Sequence, residues 1–146
     1  MDETTKNSFE YPIICFGKEV IAFFRNDSDL TVCTKKGKLY FENAKIVDSK
    51  GDSFSIIAIH KVGTVGPFFG FDIFLNQRIK IKLQFKKDAK SLQLDEFKEK
   101  LLRHIWGNKD NWDSDGEINS RIKFIRNALT IAEIIKKMTF EYFKSY

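Results

Sequence analysis

Between Val20 and Phe85 the chain is written as short apolar runs broken by polar turns, the pattern of an antiparallel sandwich or barrel. The runs predict strands near 19–25, 30–35, 38–42, 45–48, 54–59, 68–75 and 78–86. Asn26-Asp27-Ser28-Asp29, Lys36-Gly37, Asp48-Ser49-Lys50-Gly51-Asp52 and Asn76-Gln77 separate them with residues that tolerate tight turns. In the last strand Ile79, Ile81, Leu83 and Phe85 alternate with Arg78, Lys80, Lys82, Gln84 and Lys86, which places apolar groups on one face and cations on the other. Phe68, Phe69, Phe71, Ile73, Phe74 and Leu75 precede it, with Gly66-Pro67 and Gly70 where a small barrel would turn a corner.

After Phe85 the period lengthens. Leu94, Phe97, Leu101, Leu102 and Ile105 fall at helical spacing, with Asp95 and Glu96 in the first turn and Lys100 and Arg103 later, as the helix dipole favours. A polar stretch follows, and Ser114 with Glu117 reads as a capping box opening a second helix that runs to about Phe143. Its apolar face is expected to carry Ile118, Ile122, Ile125, Leu129, Ala132 and Ile135, widening through Ile131, Ile134 and Met138. The fold class is therefore α+β. The parts are an N-terminal extension (1–14), a barrel with its closing helix (15–106), a polar linker (107–116) and a C-terminal helical extension (117–146).

With 146 residues, 15 Phe and only two Pro, the chain can bury a core without metals or disulfides. The first ten residues have no basic segment followed by an apolar one, and no apolar run approaches the ~20 residues of a membrane helix, so cytoplasmic residence is expected. In that setting Cys15 and Cys33 read as reduced core thiols. The net charge is +5; residues 78–103 hold nine basic and four acidic side chains, so the whole excess falls on one strand and the helix after it.

Seven short strands followed by an amphipathic helix resemble the pleckstrin-homology-like domains, bacterial and GRAM-type members above all. The resemblance rests on Asp29 to Thr34 with Gly37 to Phe41 as paired early strands and on Ser55 to Val62 as strand and turn. Phe71 to Ile73, Lys82 to Phe85 and Phe97 to Leu102 stand for the final hairpin and closing helix. It implies a barrel of about seven strands closed by a helix, and an adaptor that binds lipids, peptides or partner domains, or copies of itself. Lipid-binding members carry cations beside the first hairpin; here Lys18 and Arg25 flank the acidic turn Asn26 to Asp29.

Three groups of residues carry candidate chemistry. Asn111, Asp113 and Asp115, with Gly116, Ile118 and Asn119, stand where a calcium loop of the EF-hand kind places its oxygens and its turn, but the twelfth position, which should be a bidentate Glu, is Ile122. Arg78, Lys80, Lys82 and Lys86 present a cationic strand face, suited to an anionic membrane surface or to keeping an edge strand soluble. Nucleic acid is not expected there, because exposed aromatics do not interleave with the cations. Ile131, Ile134, Ile135 and Met138 form an apolar surface that must be buried, either on the chain's own barrel or, as the functional reading has it, against a protein partner or a second copy.

His60 and His104 lie in no zinc-ligand spacing, Gly63 to Gly70 lacks the form of a phosphate loop, and no nucleophile elbow is present. No cofactor is expected. The reading is a non-catalytic binding or adaptor domain acting through protein–protein contact or self-association. The alternative is a small-molecule or lipid carrier with an apolar cavity in its barrel, and an enzyme of unknown class ranks below both.

Overall fold

The computed structural model describes residues 3–4, 9–17, 21–34, 42–64, 78–113 and 116–144. The strands are β1 (Glu3–Thr4), β2 (Ile13–Phe16), β3 (Ile21–Phe24), β4 (Val32–Thr34), β5 (Lys45–Val47), β6 (Ser53–Thr64) and β7 (Arg78–Lys87). The helices are α1 (Leu94–Gly107), the single turn α2 (Lys109–Trp112), α3 (Ile118–Asn127) and α4 (Ile131–Lys144). All pairings are antiparallel, in the order β1-β7-β6-β5-β2-β3, with β4 also on β7. The chain is α+β. The strands expected at 38–42 and 68–75 lie outside the described residues.

The expected closed barrel is not formed. Among the described residues no ladder joins β3 to β1 or β4, so the sheet stays open there. The reason lies in residues 25–31. Asp29 accepts the Arg25 amide at 2.8 Å and its guanidinium at 2.9 and 3.1 Å, while the Asn26 side chain accepts the Asp29 amide at 3.1 Å. These bonds hold Asp27–Thr31 as a 3-10 turn, which has no extended backbone to pair. The turn touches both β3 and β7, and Leu30 packs against the inner core, so the sheet curls without closing.

β2 is buried throughout, and alternate residues serve different cores. Ile13 and Cys15 join Phe9, Ile46, Phe54, Ile56, Ile81 and Phe85 on the concave side. Ile14 and Phe16 join Phe23, Val47 and the apolar faces of α1, α3 and α4 on the convex side. The concave core is aromatic: Phe9 lies 4.7 Å from Phe54, edge-on, and 4.7 Å from Phe85. Phe9 and Ile13 are thus core residues, and the boundary expected at 14/15 falls inside β2.

The turn between β5 and β6 ties the N-terminal segment down. Asp48 has no exposure, and its carboxylate accepts the amides of Glu10 at 3.1 Å, Lys50 at 3.0 Å and Asp52 at 3.0 Å. Burial raises its pKa despite these donors. Ser49 donates its hydroxyl to the Pro12 carbonyl at 2.6 Å and its amide to Glu10 at 2.9 Å. Gly51 completes the turn at φ +93°, where a Cβ would stand 2.9 Å from the Leu92 carbonyl, so only glycine lets the approach to α1 pass this close.

The single C-terminal helix expected over 117–146 is two helices. Ala128 is extended (ψ 148°) and ends α3. Thr130 then caps α4, its hydroxyl accepting the Glu133 amide at 3.1 Å while the Glu133 carboxylate accepts the Leu129 amide at 3.0 Å. Leu129, expected on the apolar face, sits in the break and is 81% exposed. α3 likewise starts at Ile118 with Glu117 as its N-cap, so Glu117 is not the third helical residue of a box begun by Ser114, which lies outside the described residues.

Ile134→Ala should lower unfolding free energy by about 2–5 kcal/mol in urea titrations and Thr130→Ala by about 0.5–2 kcal/mol, whereas Leu129→Ala should stay within about 0.5 kcal/mol. A large loss at Leu129 would mean that the helix continues through the break. Asp48→Asn, which turns an acceptor into a donor facing amides, should cost about 1–3 kcal/mol.

Candidate functional site

On one face of the sheet the described helices pack over β2 and β3, and none of them packs on β6 or β7 to the same extent. Strand register runs Phe16, Lys45, Ser55 and Lys86 across β2, β5, β6 and β7 in one row, followed by Ala58 with Gln84 and His60 with Lys82. Along β7 the expected alternation holds: Ile81 and Phe85 are buried, while Lys80, Lys82 and Lys86 are exposed. The register of β6 shifts between Ile56 and Ala58 and again between Lys61 and Gly63. Ile57 and Val62 sit at these bulges, 45% and 61% exposed.

The nearby carboxylates are already engaged. Asp88 accepts the hydroxyls of Ser53 at 2.7 Å and Ser55 at 2.8 Å and the Lys45 ammonium at 3.0 Å. Burial pushes its pKa up, but these donors more than offset it and hold the carboxyl below its ordinary range. Asp52 is held down by the Ser91 hydroxyl at 2.6 Å, against some burial, and by Lys87 and Lys50. None of the ion pairs of the described residues engages Lys80, Lys82 or Lys86.

One flank of α1 borders this face. The Lys100 ammonium stands 4.9 Å from the centre of the Phe16 ring, beside Lys45, and Arg103 follows one turn later, paired to Glu99 at 3.3 Å. Burial lowers the Lys100 pKa, and the charges of Lys45 and Arg103 push the same way. The result is a ledge with a cationic floor on β7 and a cationic wall on α1.

Ile131, Ile134, Ile135 and Met138, expected as a partner-binding face, are buried in the convex core with Ile14, Phe23 and Ile125. The surface is used within the chain because α4 lies on β2 and β3. On the outward side of α4, Phe140 is 68% exposed. Of the residues read as a calcium loop, Asp113 accepts the Ile118 amide at 3.3 Å, and Ile122 and Asn119 are in α3, Ile122 buried in the core. Gly116 does make the expected turn, at φ +76°. Asp115 and the side chains of Arg78 and Asn111 lie outside the described residues.

Among the described residues no three His, Cys, Asp or Glu side chains gather as metal ligands. Arg25 is bound to Asp29 and lies 3.8 Å from the centre of the Phe143 ring; Lys18 lies outside the described residues. Cys15 is buried, which raises its thiol pKa, and His104 packs edge-on to Trp112 at 6.2 Å. Lys45 and His60 join the face only through strand register, and no local motif marked them; Lys100, expected with the cationic strand, is brought to the border of the face by α1.

Comparison with family models, with curated proteins and with solved structures gave no match. No helix among the described residues is long and apolar enough to cross a membrane.

Asp52 and Asp88 have depressed folded pKa values, so their contribution is fully present above the ordinary carboxylate range near about pH 4 and is lost as pH falls through the folded values. The thermal midpoint should therefore fall on acidification from about pH 5 to pH 2, and Lys45→Met with Ser91→Ala should flatten the fall. An equally steep fall in the double variant would assign acid sensitivity to other groups.

Proposed function

We propose that this chain is a non-catalytic binding domain that takes a protein partner on the outer face of β6 and β7. The observation that carries the reading is a row of exposed lysines on β7, Lys80, Lys82 and Lys86, with no ion pair among the described residues, in a strand pair whose other member, β6, exposes Ile57 and Val62. Cations beside small apolar groups suit a contact that combines charge selection with burial. The pleckstrin-homology-like resemblance belongs to this proposal, as an account of the curved strands followed by α1, and so does cytoplasmic residence.

The same charge argues against self-association through this face. A two-fold pairing sets a patch against its own copy, lysines facing lysines, which is unfavourable. The other surface expected for self-association is occupied by the chain's own core. The carrier reading has less support, because Phe9, Phe54 and Phe85 fill the concave side with ring contacts of 4.7 to 5.9 Å. The described groups with the most raised acid pKa values, Tyr11, Cys15 and Asp48, are bound or buried within the structure and not gathered in a cleft.

Light scattering should give a mass of 17.1 kDa that does not change with concentration; a discrete oligomer would return self-association to first place. Acetylation footprinting in a nuclease-treated, membrane-free extract should then protect Lys80, Lys82 and Lys86 relative to the isolated protein. Lys123 and Lys136, exposed on α3 and α4, should react equally in both. Equal reactivity at all five would overturn the proposed surface.

A further inference from the structure

Resting on that surface, we infer that the partner contributes an extended acidic segment, with carboxylates on alternate residues, laid along the ledge between β7 and α1. The spacing supplies the first argument. Residues two apart on a strand are ~6.8 Å apart, so Lys80 and Lys82 match carboxylates at positions i and i+2 of another extended chain, and Lys86 matches position i+6. Gln84 fills the intervening place with an amide whose oxygen lies 3.3 Å from the His60 ring nitrogen Nε2.

The wall supplies the second. Lys100 is half-buried midway along α1, against Phe16, with like charges for neighbours and no ion pair among the described residues. A carboxylate arriving there relieves that crowding, so the wall selects an anion at one end of the floor. A flat bilayer has no two-residue period of charge to match against Lys80 and Lys82, whereas an alternating acidic segment has. A single nucleic-acid strand gains most from aromatic stacking, and the described face offers aliphatic Ile57 and Val62 instead.

The probe is a fluorescein-labelled twelve-residue peptide of alternating Glu and Val, followed by fluorescence anisotropy with the full chain. Saturable binding is expected, weakening by roughly tenfold or more between about 50 and 300 mM salt. A peptide of the same composition in two blocks should bind more weakly, because its charges lose the two-residue period. Lys82→Glu with Lys86→Glu should weaken binding by roughly tenfold or more, given that like charges then face each other. Lys100→Met should weaken binding while raising the thermal midpoint, a combination that a purely structural lysine does not give. Loss of both stability and binding at Lys100 would remove the wall from the site.

No binding, or equal binding by the charge-reversed variant, would overturn the inference. So would tighter binding to an oligothymidylate, or to vesicles of phosphatidylserine and phosphatidylcholine, each of which would name the other class of partner. Protection of the lysines in the footprint together with failure of the peptide would keep the surface and discard the acidic segment. Failure of both would discard the surface itself.

Discussion

The fold depends on one short strand being buried on both sides. Ile13, Ile14, Cys15 and Phe16 separate the aromatic concave core from the core shared with the helices, so β2 belongs to both. A strand that is apolar on both faces cannot set its own register by alternation, since a one-residue slip exchanges one apolar set for another. The register must be fixed from outside the strand. The bonds from Asp48 and Ser49 to Glu10 and Pro12 do this, gripping the backbone just before β2 begins. Asp48 is therefore more than a turn residue. Its buried carboxylate is the fixed point from which the pairing of β2 with β5, and then of β3 with β2, is measured.

The same turn reaches the helices. Gly51 accepts the Leu92 amide at 2.8 Å, and Asp52 holds Ser91, so the segment leading into α1 is anchored to the start of β6. Glu96 accepts the Gln93 amide at 2.9 Å and fixes where the helix begins. From that point Phe97, Leu101 and Ile105 reach the convex core and Lys100 is left at its border. Covering ends at β5, because the apolar residues on the convex side end there: Phe16 on β2 has Lys45, Ser55 and Lys86 as its successive neighbours across the sheet.

Elements with a single buried face were legible in the sequence, and those without one were not. β7 announces itself by strict alternation, and α1 by helical spacing with acids in its first turn. β2 is an apolar run with no period, so the expected boundary cuts it, with Ile13 and Ile14 in the extension and Cys15 and Phe16 in the barrel. The break between α3 and α4 did carry a signal, Thr130 with Glu133 in the spacing of a capping box, but the apolar residues on either side masked it. The isoleucines of α4 were legible as a surface needing cover, though not as one covered by β2 and β3, since that depends on contacts far apart in the chain. The loop at 111–122 matched calcium ligands by spacing alone, and Ile122 is a core residue for the same reason that it cannot be a ligand. The cationic face was half legible. Its floor follows from one strand, while Lys45 enters only through pairing.

Location, more than amount, gives the charge its meaning. The excess of cations in residues 78–103 folds into β7, which has five bases and no acid, while α1 balances its bases with as many acids and sets Lys100 over Phe16. The acids closest to that strand, Asp52 and Asp88, are bound by hydroxyls and by Lys45, Lys50 and Lys87, so they offset other charges and leave the β7 lysines unscreened by protein. Such a one-signed patch draws anionic groups from beyond contact distance, and the draw weakens with salt. β7 is paired to β6 on one side and to β1 and β4 on the other, so its lysines do not guard an edge strand. Their two-residue period along the strand gives the patch an order as well as a charge, and an ordered patch can distinguish one anion from another.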